Sequence, residues 1–299
     1  MQLAVFILAY PLLWLISRLP FTLIYLLSDG IYGLLYYVIG YRKKVVRENL
    51  ALVFPEKTEK ERLQIEKKFY RHMCDMFMEM IKTMGISKKE IQKRFTVTNM
   101  ELLNNLEEKG INTMLMLPHY ASWEWIFIIQ KYIKHRGYGI YKRLRNKYFD
   151  RLVKKIRARY NTYLITTKET IETLTNLKQN GILFTAGFAS DQSPKVNKAY
   201  HWQSFFDIMV PWHTGAEMIA KKLDIPVVFF KVKKVKRGFY ETTFQTVTLN
   251  PREFKDYEIT DMFAKYVEEQ IKEAPEYYLW THKRWKHKDK VPSELQSTY

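Results

Sequence analysis

The chain has 299 residues, of which 49 are Lys or Arg and 31 are Asp or Glu, so its formal net charge at pH 7 is +18. This length allows one large domain or two, and so positive a charge favours a polyanionic partner: nucleic acid, an anionic membrane face or a phosphorylated substrate. The aromatic content of 15% excludes a disordered basic tail, and a single cysteine, Cys74, excludes an internal disulfide. Cys74 lies on a helical apolar pattern, so we expect it in the core and not as a nucleophile.

The first 41 residues are almost entirely apolar. Residues 3–16 carry no charge, and residues 21–41 carry only Asp29. A helix over 21–41 would cover about 30 Å, a bilayer core, and the Arg42-Lys43-Lys44 run after it would remain cytoplasmic. A bent or re-entrant helical pair and the buried hairpin of a soluble domain are the alternatives. We predict a membrane-anchoring segment over 1–41 and one catalytic domain over 42–299.

Helical and strand-like patterns follow in a regular order. Capping boxes at Thr58–Glu61 and Ser87–Glu90 open a long helix to about Met84 and a shorter one toward Arg94. Strands are predicted over 114–117, 138–141, 162–165, 182–188, 225–230 and 240–249. Helices are predicted over 99–107, 125–132, 147–160, 260–274 and after Thr166 and Thr214. This alternation predicts an α/β fold, a mostly parallel sheet with helices on both faces, preceded by the N-terminal hydrophobic helical segment.

The run Leu-Met-Leu-Pro-His-Tyr-Ala-Ser-Trp-Glu at 115–124 is the strongest candidate for chemistry. His119 would stand at the carboxyl end of a strand, where open α/β sheets bind their ligands. If a helix starts near Ser122, Glu124 falls in its first turn, where the helix dipole favours a carboxylate that could reach back to a ring nitrogen of His119. The pattern therefore predicts a histidine base with an orienting acid. The alternative is a surface histidine beside a helix-capping glutamate.

Two further loops follow predicted strands. Residues 141–147 hold four cations, and residues 187–192 end in Asp191-Gln192. In a parallel sheet both loops would converge on the edge that carries His119. A cationic loop beside a histidine base suits a phosphate-bearing substrate, so we predict substrate-binding roles for Lys142, Arg143, Arg145, Asp191 and Gln192. The alternatives are a solvated basic turn at 142–147 and a turn or capping role for Asp191.

The remaining polar patterns give weaker signals. No pair of histidines or carboxylates has metal-ligand spacing, so no metal site is predicted. The tail at 279–286 interleaves aromatic residues with cations, as a membrane interface or a nucleic-acid stacking surface would. The apolar N-terminus and the lack of a nucleic-acid-binding signature favour the membrane interpretation. The other histidines lack an acidic partner nearby in sequence and are expected to be structural or on the surface: His72, His135, His201, His213 and His287.

Together these motifs resemble a known family. The box from His119 to Glu124 is similar to the H-x4-D/E box of glycerolipid acyltransferases, in the form typical of the late acyltransferases of lipid A biosynthesis. Four further blocks match that family in the same order, so that the resemblance covers nearly the whole chain: Arg42–Glu56, Asp191–Pro194, Thr214–Glu217 and Tyr278–Lys286. Five ordered blocks are far more specific than the box alone.

The resemblance implies a reaction and its location. A fatty acyl chain would pass from an acyl-carrier-protein thioester to a hydroxyl of a lipid A precursor, a phosphorylated glycolipid, at the cytoplasmic face of the inner membrane. His119 would be the base, Glu124 its orienting acid, and no cofactor and no covalent acyl-enzyme would be needed. The family often has Arg directly after the tyrosine of the basic block, where this chain has Lys142, which cannot form a bidentate fork to phosphate.

Two other hypotheses fit part of the sequence. The same chemistry could act on an aminolipid, a glycolipid or a lysophospholipid, since the box is shared across those classes. A membrane-tethered nucleic-acid-binding protein would use the charge but leave the His119 box unexplained, and we expect no nucleic-acid partner.

Overall fold

The computed structural model describes residues 2–296 of the chain, a single succession of helices and strands. The α-helices are α1 Gln2–Arg18, α2 Phe21–Gly33, α3 Lys43–Val53, α4 Glu59–Lys82, α5 Lys88–Arg94, α6 Glu101–Glu108, α7 Lys147–Arg157, α8 Thr170–Gln179, α9 Gly215–Leu223, α10 Glu258–Glu273 and α11 Ser293–Gln296. The strands are β1 Phe95–Val97, β2 Thr113–Leu117, β3 Arg136–Tyr141, β4 Tyr163–Thr166, β5 Phe184–Ala189, β6 His201–Phe205, β7 Ile208–Trp212, β8 Val227–Lys236 and β9 Phe239–Thr248.

Seven strands form one sheet in the order β1-β9-β8-β2-β5-β3-β4. All neighbours are parallel except the β8–β9 hairpin, so the predicted α/β fold with a mostly parallel sheet between helices is confirmed. All five residues of the central strand β2 are buried, as expected for a strand covered on both faces. Because β2, β5 and β3 are adjacent and parallel, the loops that carry His119, Asp191 and the 142–147 cations leave the sheet at the same edge.

Two β elements were not predicted. One is the short edge strand β1, and the other is the separate antiparallel hairpin β6–β7. The hairpin turns at Phe206-Asp207, both with φ of 55°. Turns of this kind are normally recognised by Asn-Gly or Asp-Gly, which are absent here, so the sequence carried no signal for it.

The N-terminal helices form as their sequences suggest. Helix α2 continues through a π-helical stretch, Leu34–Ile39, and stops at Gly40, whose φ of 67° suits glycine. The continuous helix Phe21–Ile39 is long and apolar enough to cross a bilayer, which supports its prediction as a candidate membrane segment. The Thr58 capping box is also formed, with Thr58 and Glu61 each accepting a hydrogen bond from the other's backbone N–H.

The aromatic and basic tail lies in the core, so its interpretation as a membrane interface is wrong. Tyr278, Trp280, Arg284 and Trp285 are each at most 3% exposed. The guanidinium of Arg284 stacks over the ring of Trp212 at 4.2 Å. Alternating aromatic and cationic residues serve buried cation–π contacts as well as lipid head groups, and the sequence alone does not separate the two.

Candidate active site

The loop after β2 is sharply bent and held by the C-terminal segment. Ala121 has a φ of 48°, a left-handed conformation that costs a residue other than glycine about 1–3 kcal/mol. The N–H of Ala121 donates to the carbonyl of Tyr277 at 2.9 Å, and Tyr120 forms an antiparallel bridge with Tyr278. These contacts fix the direction in which His119 leaves the sheet.

His119 is paired with Asp191 from the neighbouring strand loop. Its ring Nδ1 lies 2.6 Å from Oδ1 of Asp191, and its backbone N–H donates to Oδ2 at 3.0 Å. Since a carboxylate can only accept, Nδ1 carries a proton, and in the neutral form of the ring Nε2 keeps its lone pair. Gln192 places its amide 3.4 Å from Nε2, a distance too long for a strong hydrogen bond. A neutral imidazole held in this tautomer is a ready proton acceptor at Nε2.

Burial and charge act in opposite directions on this pair. Burial lowers the pKa of His119, but the carboxylate of Asp191 and, more weakly, that of Glu124 raise it, so the pKa lies above its ordinary 6.5. Burial alone would raise the pKa of Asp191, but its contacts with His119 hold it below the usual value. The side chain of Asp191 is only 1% exposed, so its negative charge acts on the imidazole with little screening by water.

Glu124 does not make the contact with His119 that the sequence suggested. It stands in the first turn of a 3-10 helix, Trp123–Lys131, and its two carboxylate oxygens accept from Arg157 at 2.5 and 3.0 Å. The reason is geometric: Asp191 already occupies Nδ1, and the turn at Ala121 sends the chain away before the helix begins. Glu124 therefore acts on His119 through its charge and by holding Arg157 in place.

Arg157 is the residue near this site that the sequence did not reveal. It ends α7, where Lys154 and Lys155 are equally basic and no feature of the sequence distinguishes it. Its side chain is 22% exposed, and its guanidinium forms the bidentate fork to a carboxylate that only arginine offers. Through Glu124 it brings a fixed positive charge to the edge of the sheet where His119 stands.

The basic loop reaches the same edge without touching His119. Lys142, Arg143 and Arg145 are all exposed, and Arg143 pairs with Glu169 at 3.2 Å. Within residues 2–296, no hydrogen bond or ion pair joins the side chains of these three cations to His119, Glu124, Asp191 or Gln192. The predicted convergence of the loops on one edge is therefore observed, while the role of the cations in binding remains a prediction.

The C-terminal segment also fixes the Asp191 loop. His282 Nε2 accepts from the N–H of Ser193 at 3.1 Å, and burial lowers the pKa of His282 to about 4, so this ring is neutral. Ser193 Oγ donates to the carbonyl of Arg284 at 2.5 Å. Asn49 in α3 donates to the carbonyls of Trp280 and His282 at 2.8 and 2.9 Å. Three of the blocks singled out in the sequence thus form one hydrogen-bonded support for the His119–Asp191 pair.

A narrow, largely apolar depression, too small to admit a water molecule, lies against Trp123 next to the His119 loop. The ring of Trp123 meets the imidazole edge-on at 5.5 Å and forms one wall. Side chains of α4 and the C-terminal segment form the others, among them Phe69, Met73, Met76, Tyr277 and Tyr278. A proton acceptor next to an apolar wall, with cations at the same edge, suits a lipid substrate that carries anionic groups.

Comparison with known proteins identifies the family. Residues 1–287 match the family described as bacterial lipid A biosynthesis acyltransferase. The chain belongs to this family. It is 27% identical over 286 residues to a lipid A biosynthesis lauroyltransferase of Escherichia coli K12, across 94% of this chain and 91% of that protein. It is also 23% identical to a lipid A biosynthesis palmitoleoyltransferase of the same strain, across 92% and 88%.

Membership confirms the resemblance drawn from the five sequence blocks. As a lipid A biosynthesis acyltransferase, the chain transfers an acyl group onto a lipid A-type acceptor. A shorter match, 31% identical over 111 residues, links it to a lipid A biosynthesis acyltransferase of Haemophilus influenzae, across 36% of this chain.

Proposed function

We propose that this acyltransferase uses His119 as the general base that activates a hydroxyl of a phosphorylated lipid A precursor for attack on an acyl-carrier-protein thioester. The observation that carries the proposal is the Asp191 carboxylate on Nδ1, which leaves the lone pair of Nε2 available. An alcohol is a weak nucleophile, and removal of its proton by a positioned base accelerates such reactions by about 10²–10⁴-fold.

The steps balance without a further cofactor. Nε2 of His119 takes the hydroxyl proton as the alkoxide oxygen bonds to the thioester carbon, and the carbon–sulfur bond then breaks. The departing thiolate takes the proton back from the imidazolium, which Asp191 stabilises while it exists. No covalent acyl-enzyme forms, which fits the burial of the only cysteine, Cys74, whose pKa is raised to about 12 by burial and by nearby carboxylates.

Glu124 and Arg157 act one step back from the reacting atoms. The carboxylate of Glu124 raises the pKa of His119, whereas the positive charge of Arg157 lowers it. Because the two residues form an ion pair, the charge of Arg157 is largely neutralised. We assign to the exposed cations Lys142, Arg143 and Arg145 the attraction of the acceptor phosphates and of the acidic carrier protein, supported by their exposure at this edge of the sheet. We assign to Gln192 a contact with the substrate hydroxyl, supported by its amide lying 3.4 Å from Nε2 of His119.

We further propose attachment to the cytoplasmic face of the inner membrane, where both substrates would meet. The support is the apolar surface of the N-terminal helices and the basic run Arg42-Lys43-Lys44 beside it. The donor and the acceptor would then approach the same sheet edge, one from the cytoplasm and one from the lipid.

A matched pair of histidine variants tests the mechanism. His201 also pairs with an aspartate, Asp261, at 2.5 Å, but in the separate β6–β7 hairpin. Purified enzyme is assayed with an acyl-carrier-protein thioester and a lipid A precursor, and the product is identified by mass spectrometry. We expect His119→Ala to lose turnover and His201→Ala to keep it. Near-normal turnover in His119→Ala would show that His119 is not the general base. Acylation of only aminolipid, glycolipid or lysophospholipid acceptors would show that a lipid A precursor is not the acceptor.

A further inference from the structure

The N-terminal helices α1 and Phe21–Ile39, together called the anchor layer, expose apolar side chains on their outer face. In the helix Phe21–Ile39 the buried positions recur every four residues and include Ser28, Tyr32 and Tyr36. The outward positions are apolar: Leu23, Leu26, Leu27, Ile31, Leu34, Val38 and Ile39 are 37–76% exposed. A helix of a water-soluble protein shows the opposite arrangement, so this outer face requires an apolar medium.

Hydrogen bonds and one ion pair hold the inner face of the helix to the catalytic domain. Ser28 donates to Asp75 of α4 at 2.7 Å. Arg237, at the tip of the β8–β9 hairpin, donates to Asp29 at 2.8 and 3.0 Å and also to Asp75. Tyr36 donates to Glu66 at 2.8 Å. If this helix crossed the bilayer, these contacts would have to break, or the charges of α4 and the hairpin would have to enter the hydrocarbon.

Helix α1 is fixed to the same body at both ends. At its start, Asn146 donates to the carbonyl of Gln2 at 3.3 Å, and Phe6 stacks on Tyr148 of α7 at 5.7 Å. At its end, Lys82 donates to the carbonyls of Ser17 and Leu19 at 3.0 and 2.6 Å. A helix of about 25 Å held at both ends lies along the domain surface and cannot cross a membrane. Its outward residues are again apolar, among them Leu8, 79% exposed, and Leu12, 58% exposed.

We propose that the anchor layer is a monotopic docking surface that lies in the plane of a single phospholipid leaflet, with the N-terminus on the same side as the catalytic domain. This proposal rests on the proposed membrane attachment. It differs from a transmembrane arrangement in that both helices lie parallel to the membrane surface. Exposed aromatic and basic residues border the apolar face, as at a lipid head-group level. Trp14, with Arg18 stacked on it at 5.0 Å, Tyr37, Arg42 and Lys44 lie there. That border favours lipid over a second copy of the chain.

Topology is the first test. One variant carries a cysteine in a flexible tag ahead of Met1, and the second carries Lys290→Cys on the exposed surface of the catalytic domain. Native Cys74 is buried and stays silent. A membrane-impermeant maleimide is added to spheroplasts or to inverted inner-membrane vesicles. We expect both cysteines to react only in inverted vesicles. Labelling of the tag in spheroplasts and of Lys290→Cys in inverted vesicles means a span and refutes the proposal, while leaving membrane attachment intact.

Depth is the second test. Environment-sensitive fluorophores are placed on Leu8→Cys, Leu23→Cys and Val38→Cys, and quenched with lipids brominated at stated depths in vesicles that contain anionic phospholipid. We expect the three positions to be quenched at similar shallow depths. Leu23→Cys and Val38→Cys in opposite leaflets would refute the in-plane arrangement. Shielded probes without quenching would mean a protein partner instead of lipid, and protein absent from the vesicles would refute membrane attachment itself.

Discussion

Replacing Asp191 by Asn tests the pairing that the structure places at the centre of the site. The change keeps the shape of the side chain and an oxygen for the backbone N–H of His119, but it removes the charge on Nδ1. An amide can also donate to Nδ1, which would move the proton of the ring to Nε2 and abolish the base. The expected result is a folded enzyme with a histidine in the wrong tautomer.

The magnitude follows from burial and distance. Because Asp191 is 1% exposed and 2.6 Å from the ring, water cannot replace its charge. The equivalent change in a hydrolase triad lowers kcat by about 10⁴-fold. We expect a loss of about 10³–10⁴-fold here, which corresponds to about 4–5.5 kcal/mol of activation free energy.

The assay is steady-state kcat as a function of pH, with thermal unfolding to confirm the fold. In the wild type, activity should fall as pH drops through the pKa of His119, which lies above 6.5. Asp191 raises that pKa, so in Asp191→Asn the acidic limb of the residual activity should move to lower pH. A variant that retains more than about a tenth of wild-type kcat, or an acidic limb that does not move, would show that Asp191 does not orient the base.

Three further predictions concern charged side chains. Glu124→Gln and Arg157→Gln should each lower kcat, and the double variant should lose no more than the worse single one, because the residues act as a pair; additive losses would contradict this. Arg237→Ala should destabilise the protein by about 3 kcal/mol in denaturant unfolding, because it strips the buried Asp75 of its main partner, and a loss below about 1 kcal/mol would mean a surface-type pair. Neutralising the cations of the 142–147 loop should raise KM for the carrier-protein thioester and flatten the salt dependence of kcat/KM at unchanged kcat; an unchanged KM would remove the loop from binding.

The sequence predicted the sheet because burial on both faces leaves a clear pattern. The predicted strands over 114–117, 138–141, 162–165, 182–188, 225–230 and 240–249 correspond to the observed β2, β3, β4, β5, β8 and β9. Their parallel order explains why the three candidate loops meet at one edge. The hairpin β6–β7 was missed because its turn residues are atypical, and the tail at 279–286 was misplaced because a buried cation–π cluster and a membrane belt have the same composition.

Partners within the site could not be predicted, because they depend on strand register. Leu117 pairs with Ala189, so His119 and Asp191 each stand two residues beyond a matched pair of neighbouring strands. Glu124 was predicted as the partner because it lies five positions after His119 in the sequence. The turn at Ala121 instead directs the carboxylate of Glu124 to Arg157. Sequence proximity identified the correct loop but assigned the wrong acid to Nδ1.

The path of the chain after α10 has a consequence for biosynthesis. Tyr277 and Tyr278 hold the His119 loop, while His282 and Arg284 hold the Asp191 loop. A nascent polypeptide that has emerged only through α10 contains every strand of the sheet but lacks both supports. At about 5–20 residues per second of translation, the His119 and Asp191 loops would lack these contacts until residues 275–284 have also been synthesised. A truncation after Ala274 should therefore sediment with membranes and have no turnover, because acylation would begin only after residues 275–284 have joined the fold.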